Sequence, residues 1–82
     1  MSSPKVTLYH ARGCHLCERA RSVLEVSGIA FEEIDIGGDA ELEARYREWL
    51  PVVEIDGERA FVYYVDRDAL LRKLKRASTK TT

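Results

Sequence analysis

No run of apolar residues in this 82-residue chain approaches the ~18 that a membrane-crossing helix needs, and the N-terminus lacks the short apolar segment of a secretion signal. A cytoplasmic chain with no membrane partner is therefore expected. Net charge is missing as well: 13 lysines and arginines against 14 aspartates and glutamates leave −1, which gives no electrostatic basis for binding nucleic acid. Repeats, low-complexity segments and linkers are also absent, so the reading is a single domain over residues 1–82, its core about 5–76 and a flexible polar tail over 78–82. A domain of this size buries about 60% of its unfolded surface and carries a stability on the order of 5 kcal/mol. Nothing in the chain calls for an obligate second copy, and a monomer is expected. Cysteine is scarce too, at two residues. In a reducing compartment a thiol pair points to catalysis or metal binding rather than to a structural staple.

Both thiols lie in one stretch, Arg12-Gly13-Cys14-His15-Leu16-Cys17. A short strand pattern, Val6 to His10, precedes it, and a helical pattern running to about Ser27 follows. The cysteines thus fall in the first turn of a helix, where unpaired N–H donors and the positive end of the helix dipole stabilise a thiolate over a thiol. With Cys14 at or beside the N-cap and Cys17 three residues on, the sulfurs share one side of the turn, close enough for an intramolecular disulfide. Strand, Cys-x-x-Cys and helix together read as a redox site of the thioredoxin type. A thiol of pKa ~8.5 is only about 3% ionised at pH 7, whereas one lowered to ~6 is about 90% ionised. The helix start, Arg12 and His15 all push Cys14 that way. Cys14 is read as the attacking thiolate, and Cys17, deeper in the turn, as the thiol that resolves the mixed disulfide.

The remaining pattern alternates strands and helices. Val6 and Leu8 lie on one face of the first strand, Thr7 and Tyr9 on the other. Leu16, Ala20, Val23 and Leu24 form the inward stripe of the first helix, which ends at Gly28. Ile29 to Ile36 reads as a second strand with Ala30, Ile34 and Ile36 on one face, and its paired glutamates suit a sheet edge. Asp39 is the N-cap of a helix carrying Leu42, Tyr46 and Trp49 at i, i+4 and i+7, with Glu41–Arg45 and Glu43–Arg47 as i,i+4 ion pairs worth about 0.3 kcal/mol each. That helix stops before Pro51. Pro51 to Ile55 and Glu58 to Tyr64 are antiparallel strands around an Asp56-Gly57 type I′ turn. Asp66 then caps a last helix with Leu70, Leu71, Leu74 and Ala77 inward, its basic residues from Arg72 to Arg76 opposing the dipole at the C-terminal end.

The order β-α-β-α-β-β-α, with Tyr9, Cys14, Cys17, Pro51 and the Asp56-Gly57 turn at their places, resembles the glutaredoxin branch of the thioredoxin fold over roughly Lys5 to Lys75. It resembles in particular the small bacterial glutaredoxin-like proteins. The resemblance implies an α/β fold with a four-stranded mixed sheet in the order 2-1-3-4, the third strand antiparallel to the first, and helices on both faces. It implies a cis Leu50–Pro51 peptide facing the cysteines, with the Leu50 backbone offering hydrogen bonds to an extended substrate. It also implies a thiol–disulfide oxidoreductase that requires no cofactor, with glutathione admissible as co-substrate. The expected partners are a disulfide-containing protein or a glutathionylated substrate, and a reductant that is either glutathione or a thioredoxin-reductase-like system. The chain departs from the family's pattern in two places. His15-Leu16 replaces the usual Pro-Tyr spacer, with Arg12 where a lysine is common. Tyr63-Tyr64-Val65-Asp66 replaces the Gly-Gly-x-Asp turn that holds the γ-glutamyl end of glutathione, leaving Asp66 for that role.

The alternative is a redox-inactive or metal-holding module of the same fold. His10, Cys14, His15 and Cys17 lie within eight residues of sequence and all are zinc-competent, yet a site would need all four to converge, and none is assigned as a metal ligand. A copper-chaperone pattern fits less well, because it ends in a strand where this chain has a helix. Tyr9 and Trp49 are read as core or rim aromatics.

Overall fold

The computed structural model describes residues 4–79. Its elements are β1 (Val6–His10), α1 (His15–Val26), β2 (Glu32–Asp35), α2 (Ala40–Tyr46, followed by a 3-10 turn Arg47–Trp49), β3 (Val52–Ile55), β4 (Glu58–Val62) and α3 (Arg67–Thr79). The sheet runs β2-β1-β3-β4. β1 is parallel to β2, with Thr7 opposite Glu32 and His10 opposite Asp35, and antiparallel to β3, with Leu8 opposite Val53. A parallel neighbour requires a crossover, and α1 supplies it. This is the mixed sheet that the family resemblance implied.

β1 has a strand along each edge, and side chains pack against both of its faces. Val6 and Leu8 meet Val53 and Ile55 of β3, Ala20 and Leu24 of α1 and Leu70 of α3 in one core. On the opposite face Tyr9 packs with Val52, Ile36 and Tyr46, the last from α2. Helices therefore lie on both faces. The β3–β4 turn has positive φ at both central residues, Asp56 (53°) and Gly57 (82°), which is the type I′ geometry whose twist matches that of the flanking strands. The turn also fixes the start of β1: Lys5 N–H donates to Asp56 Oδ1 at 2.9 Å, and Asp56 N–H donates to the Lys5 carbonyl at 2.8 Å.

Several local expectations change once neighbours are present. β2 is four residues long rather than spanning Ile29 to Ile36, because Ile29 and Phe31 pack against the first core before pairing begins, and Ala30 is exposed. As an edge strand it carries its charges outward, Glu32 toward Lys5 at 3.6 Å and Glu33 toward Arg21. Of the two i,i+4 pairs expected on α2, Glu43–Arg47 forms at 3.0 Å. No Glu41–Arg45 pair forms among the described residues; Glu41 instead gives its backbone N–H to Asp39 Oδ1 at 3.1 Å. Trp49 is a rim aromatic past the end of α2, with Tyr63 (6.2 Å between ring centroids) and the Arg59 guanidinium (5.6 Å) beside its ring. Leu71 is not inward: α3 meets the sheet along the Leu70, Leu74, Ala77 stripe, and Leu71 is 42% exposed. β4 stops at Val62 because Tyr63 enters the left-handed region with φ 67°, which a bulky residue adopts only when its surroundings enforce it. α3 reaches Thr79, two residues into the expected tail; residues 80–82 lie outside those described.

The contrast between Leu70 and Leu71 can be measured. Leu70 is fully buried, so Leu70→Ala should lower the unfolding free energy in urea by about 2–5 kcal/mol, while Leu71→Ala should change it by less than about 1 kcal/mol. Similar losses for the two variants would contradict the packing of α3.

Candidate functional site

β1 ends at His10, and three residues later the chain turns through Gly13, whose φ of +72° is open to glycine at little cost. The turn delivers Cys14 in an extended conformation (φ −96°, ψ 104°) as the N-cap of α1. Serine or aspartate would ordinarily place an oxygen there; here the Cys14 Sγ accepts the Cys17 N–H at 3.1 Å. The Glu18 N–H donates to the Cys14 carbonyl at 3.2 Å and starts the helical ladder. Cys14 and Cys17 are joined by a disulfide with Cα atoms 5.2 Å apart. Cys14 is half-buried, and Cys17 is 4% exposed. When the bond is reduced, a sulfur at this cap is next to an N–H donor and the positive end of the helix dipole. Both favour the thiolate over the thiol.

The other residues singled out from the sequence are distributed as follows. Arg12 is exposed in the turn and lines a pocket of about 180 Å³ that Cys14 and Cys17 also line. The His15 side chain is 93% exposed, and its Nδ1 lies 3.6 Å from Glu18 Oε2, so it pairs along the outer surface of α1. The Leu50–Pro51 peptide is cis, and Pro51 is buried. The Pro51 carbonyl accepts the Tyr63 N–H at 3.0 Å, and the Val62 carbonyl accepts the Tyr64 N–H at 2.7 Å. The main-chain donors of the Tyr63-Tyr64 turn are thus engaged within the fold. Asp66 is exposed, and its Oδ2 accepts the Ala69 N–H at 2.8 Å, capping α3.

The wall of the pocket beside the disulfide includes residues that no sequence spacing marked. Arg21 of α1 and Glu33 of β2 pair across it, Arg21 Nε to Glu33 Oε1 at 2.6 Å. The signal for this pair was only the coincidence of an outward arginine with an edge-strand glutamate. His10 lines the same pocket. Among the described residues no three His, Cys, Asp or Glu side chains are grouped as a metal ion requires, and His15 diverges from the sulfurs. No helix among the described residues is long and apolar enough to cross a membrane.

A mixed sheet of this order, with Cys-x-x-Cys at the start of the helix after β1, defines a thioredoxin-like fold. The chain belongs to the family described as Glutaredoxin-like domain (DUF836), which it matches over residues 5–75. Among solved structures it is similar to a structural genomics target protein, XcR50, from X. campestris, at 32% identity and a TM-score of 0.77, over 87% of this chain and 96% of that one. It is similar also to protein Ne2328 from Nitrosomonas europaea (28% identity, TM-score 0.69, 90% and 94% covered). Glutaredoxin 1 from Francisella tularensis, solved with cacodylate, shares the fold at 24% identity and a TM-score of 0.61, over 94% of this chain and 99% of that one. No curated protein matches the chain.

Across the sheet from α1, Tyr9 stacks on Tyr46 with ring centroids 4.1 Å apart, and the Tyr46 hydroxyl donates to Glu54 Oε2 at 2.8 Å. Burial raises the Tyr9 phenol well above its ordinary range, and the neighbouring Tyr46 hydroxyl and Glu54 carboxylate push it the same way. Below about pH 10 the group is protonated in both folded and unfolded chains. Above that value the unfolded chain releases the proton while the folded chain keeps it, so folding stability falls as pH rises. Tyr9→Phe should flatten this alkaline loss in thermal melts above about pH 10. An unchanged slope would remove Tyr9 as its source.

Proposed function

We propose that the chain is a thiol–disulfide oxidoreductase of glutaredoxin-like type. The single observation that carries this reading is the Cys14 sulfur at the N-cap, accepting the Cys17 N–H at 3.1 Å and bonded to the Cys17 sulfur. Cys14, the less buried of the two, attacks a substrate disulfide as a thiolate. Cys17 then attacks the Cys14 sulfur of the mixed disulfide, releases the reduced substrate and leaves the intramolecular disulfide. Arg12, on the rim of the same pocket, adds a positive charge near the attacking sulfur. His15, turned toward Glu18, contributes less to that sulfur than its sequence position suggested.

The substrate is a disulfide-containing protein or a glutathionylated one, approaching as an extended segment along the Leu50 backbone beside Pro51. No cofactor is required, the chain acts as a monomer in the cytoplasm, and the disulfide is reset by glutathione or by a thioredoxin-reductase-like partner. Engagement of the Tyr63 and Tyr64 N–H groups and of the Asp66 carboxylate within the fold leaves few free groups for a γ-glutamyl end, which favours protein disulfides over glutathione mixed disulfides.

Alkylation of the reduced protein by iodoacetamide should show a midpoint below the ~8.5 of an unperturbed thiol. Cys14→Ser should abolish reduction of a model disulfide, while Cys17→Ser should accumulate a mixed disulfide on Cys14. An unperturbed midpoint together with no disulfide reduction would end this reading. Turnover measured in parallel with glutathione and with a thioredoxin-reductase system identifies the donor, and faster turnover with the reductase system is expected.

A further inference from the structure

The resolving step asks for something that the attacking step does not. Cys14 has the N-cap N–H and a half-exposed position to hold it as a thiolate, whereas Cys17 is 4% exposed, and burial favours a neutral thiol. Before it can attack, Cys17 must give up a proton to some acceptor. Cys17 lines the pocket of about 180 Å³ beside the disulfide, large enough for several waters at about 30 Å³ each.

Six charged or titratable groups other than the thiols face that space or flank it. They are His10 of β1, Arg12 of the turn, Glu18 and Arg21 of α1, Glu33 of β2, and Asp35, the register partner of His10 across the β1–β2 ladder. Most are committed elsewhere. The arginines have no acceptor atom. Glu33 is held by the Arg21 guanidinium, Glu18 pairs with His15 at 3.6 Å, and Asp35 Oδ1 accepts the Gly37 N–H at 2.8 Å. His10 differs: its carbonyl accepts the Ile36 N–H at 2.9 Å, but among the described residues its imidazole makes no hydrogen bond or ion pair. A neutral imidazole carries one acceptor nitrogen, and histidine is the side chain that ordinarily changes charge between about pH 5 and 8.

We propose that His10 is the proton acceptor for Cys17 in the resolving step, reached through water in this pocket; the proposal rests on the dithiol reading above. The mixed disulfide joins the Cys14 sulfur to the substrate sulfur. The Cys17 S–H proton passes to the His10 imidazole, and the Cys17 electron pair forms the new S–S bond to Cys14. The Cys14–substrate S–S bond breaks, and its pair leaves on the substrate sulfur as a thiolate, which takes the proton from the imidazolium. The cysteine pair loses two electrons and the substrate disulfide gains them.

The experiment mixes reduced protein with 5,5′-dithiobis(2-nitrobenzoate) in a stopped-flow instrument. The first release of thionitrobenzoate reports attack by Cys14, and the second reports attack by Cys17. His10→Gln should leave the first phase unchanged and slow the second at least tenfold at pH 7, within reach of the 10²–10⁴ typical of a positioned base. It should also remove the ionising limb of the second phase's pH profile. Added imidazole should restore part of the second phase in His10→Ala. The wild-type profile is an independent reading should a variant not fold, because it must itself show that limb. A wild-type second phase without it, or a His10→Gln second phase equal to wild type in rate and pH profile, would overturn the role of His10 and leave the dithiol reading intact. No second release from the wild-type protein would overturn both.

Discussion

The hydrogen bond from the Cys17 N–H to the Cys14 Sγ joins the folding of α1 to the chemistry of its sulfurs. A helix start leaves backbone donors unpaired, and here one is satisfied by a sulfur instead of the customary oxygen. The contact that caps the helix is therefore also the one that favours charge on the sulfur. It depends on where the chain enters α1, which depends on where β1 ends. β1 is held on one side by β2, on the other by β3, and at its start by the two Lys5–Asp56 hydrogen bonds. A central strand fixed in this way leaves the Arg12-Gly13 turn little freedom in where it sets Cys14 down.

The two faces of the sheet do different work around that point. One face, with Leu8, Val53, Leu24 and Leu70 fully buried, is an apolar core that anchors α1 from below. The other carries a polar group into its packing, since the Tyr46 hydroxyl reaches Glu54 beside the stacked Tyr9 ring. Charge is otherwise kept to the margins. Glu32 and Glu33 line the β2 edge with Lys5 and Arg21 as partners, which satisfies the carboxylates and also discourages another strand from adding to that edge. The Arg21–Glu33 pair then doubles as a wall of the pocket that Cys14 and Cys17 line.

How far the sequence could be read differs with the range of the interaction involved. The Asp39 and Asp66 caps, the Asp56-Gly57 turn and the helix opened by Cys14 were legible because each is chemistry between residues a few positions apart. The strand order followed from the family resemblance more than from periodicity. The errors fall where a side chain's environment is made by a distant element. Leu71 is apolar and sits on a helical pattern that would bury it, yet it lies where no second element covers it fully. Ala30 follows the strand alternation, but Ile29 and Phe31 are drawn into the core before β2 begins.

By itself, then, the sequence determined that a thiol pair stands at the first turn of a helix that follows a strand, because Gly13, the Cys-x-x-Cys spacing and the apolar stripe act over a single turn of chain. Tertiary structure decided what surrounds that pair: which sulfur is sealed, which histidine shares its pocket, and which charges are already paired. Those outcomes belong to β1, α1 and β2 jointly. A pocket is the space left between elements packed in three dimensions, and no stretch of chain contains it alone.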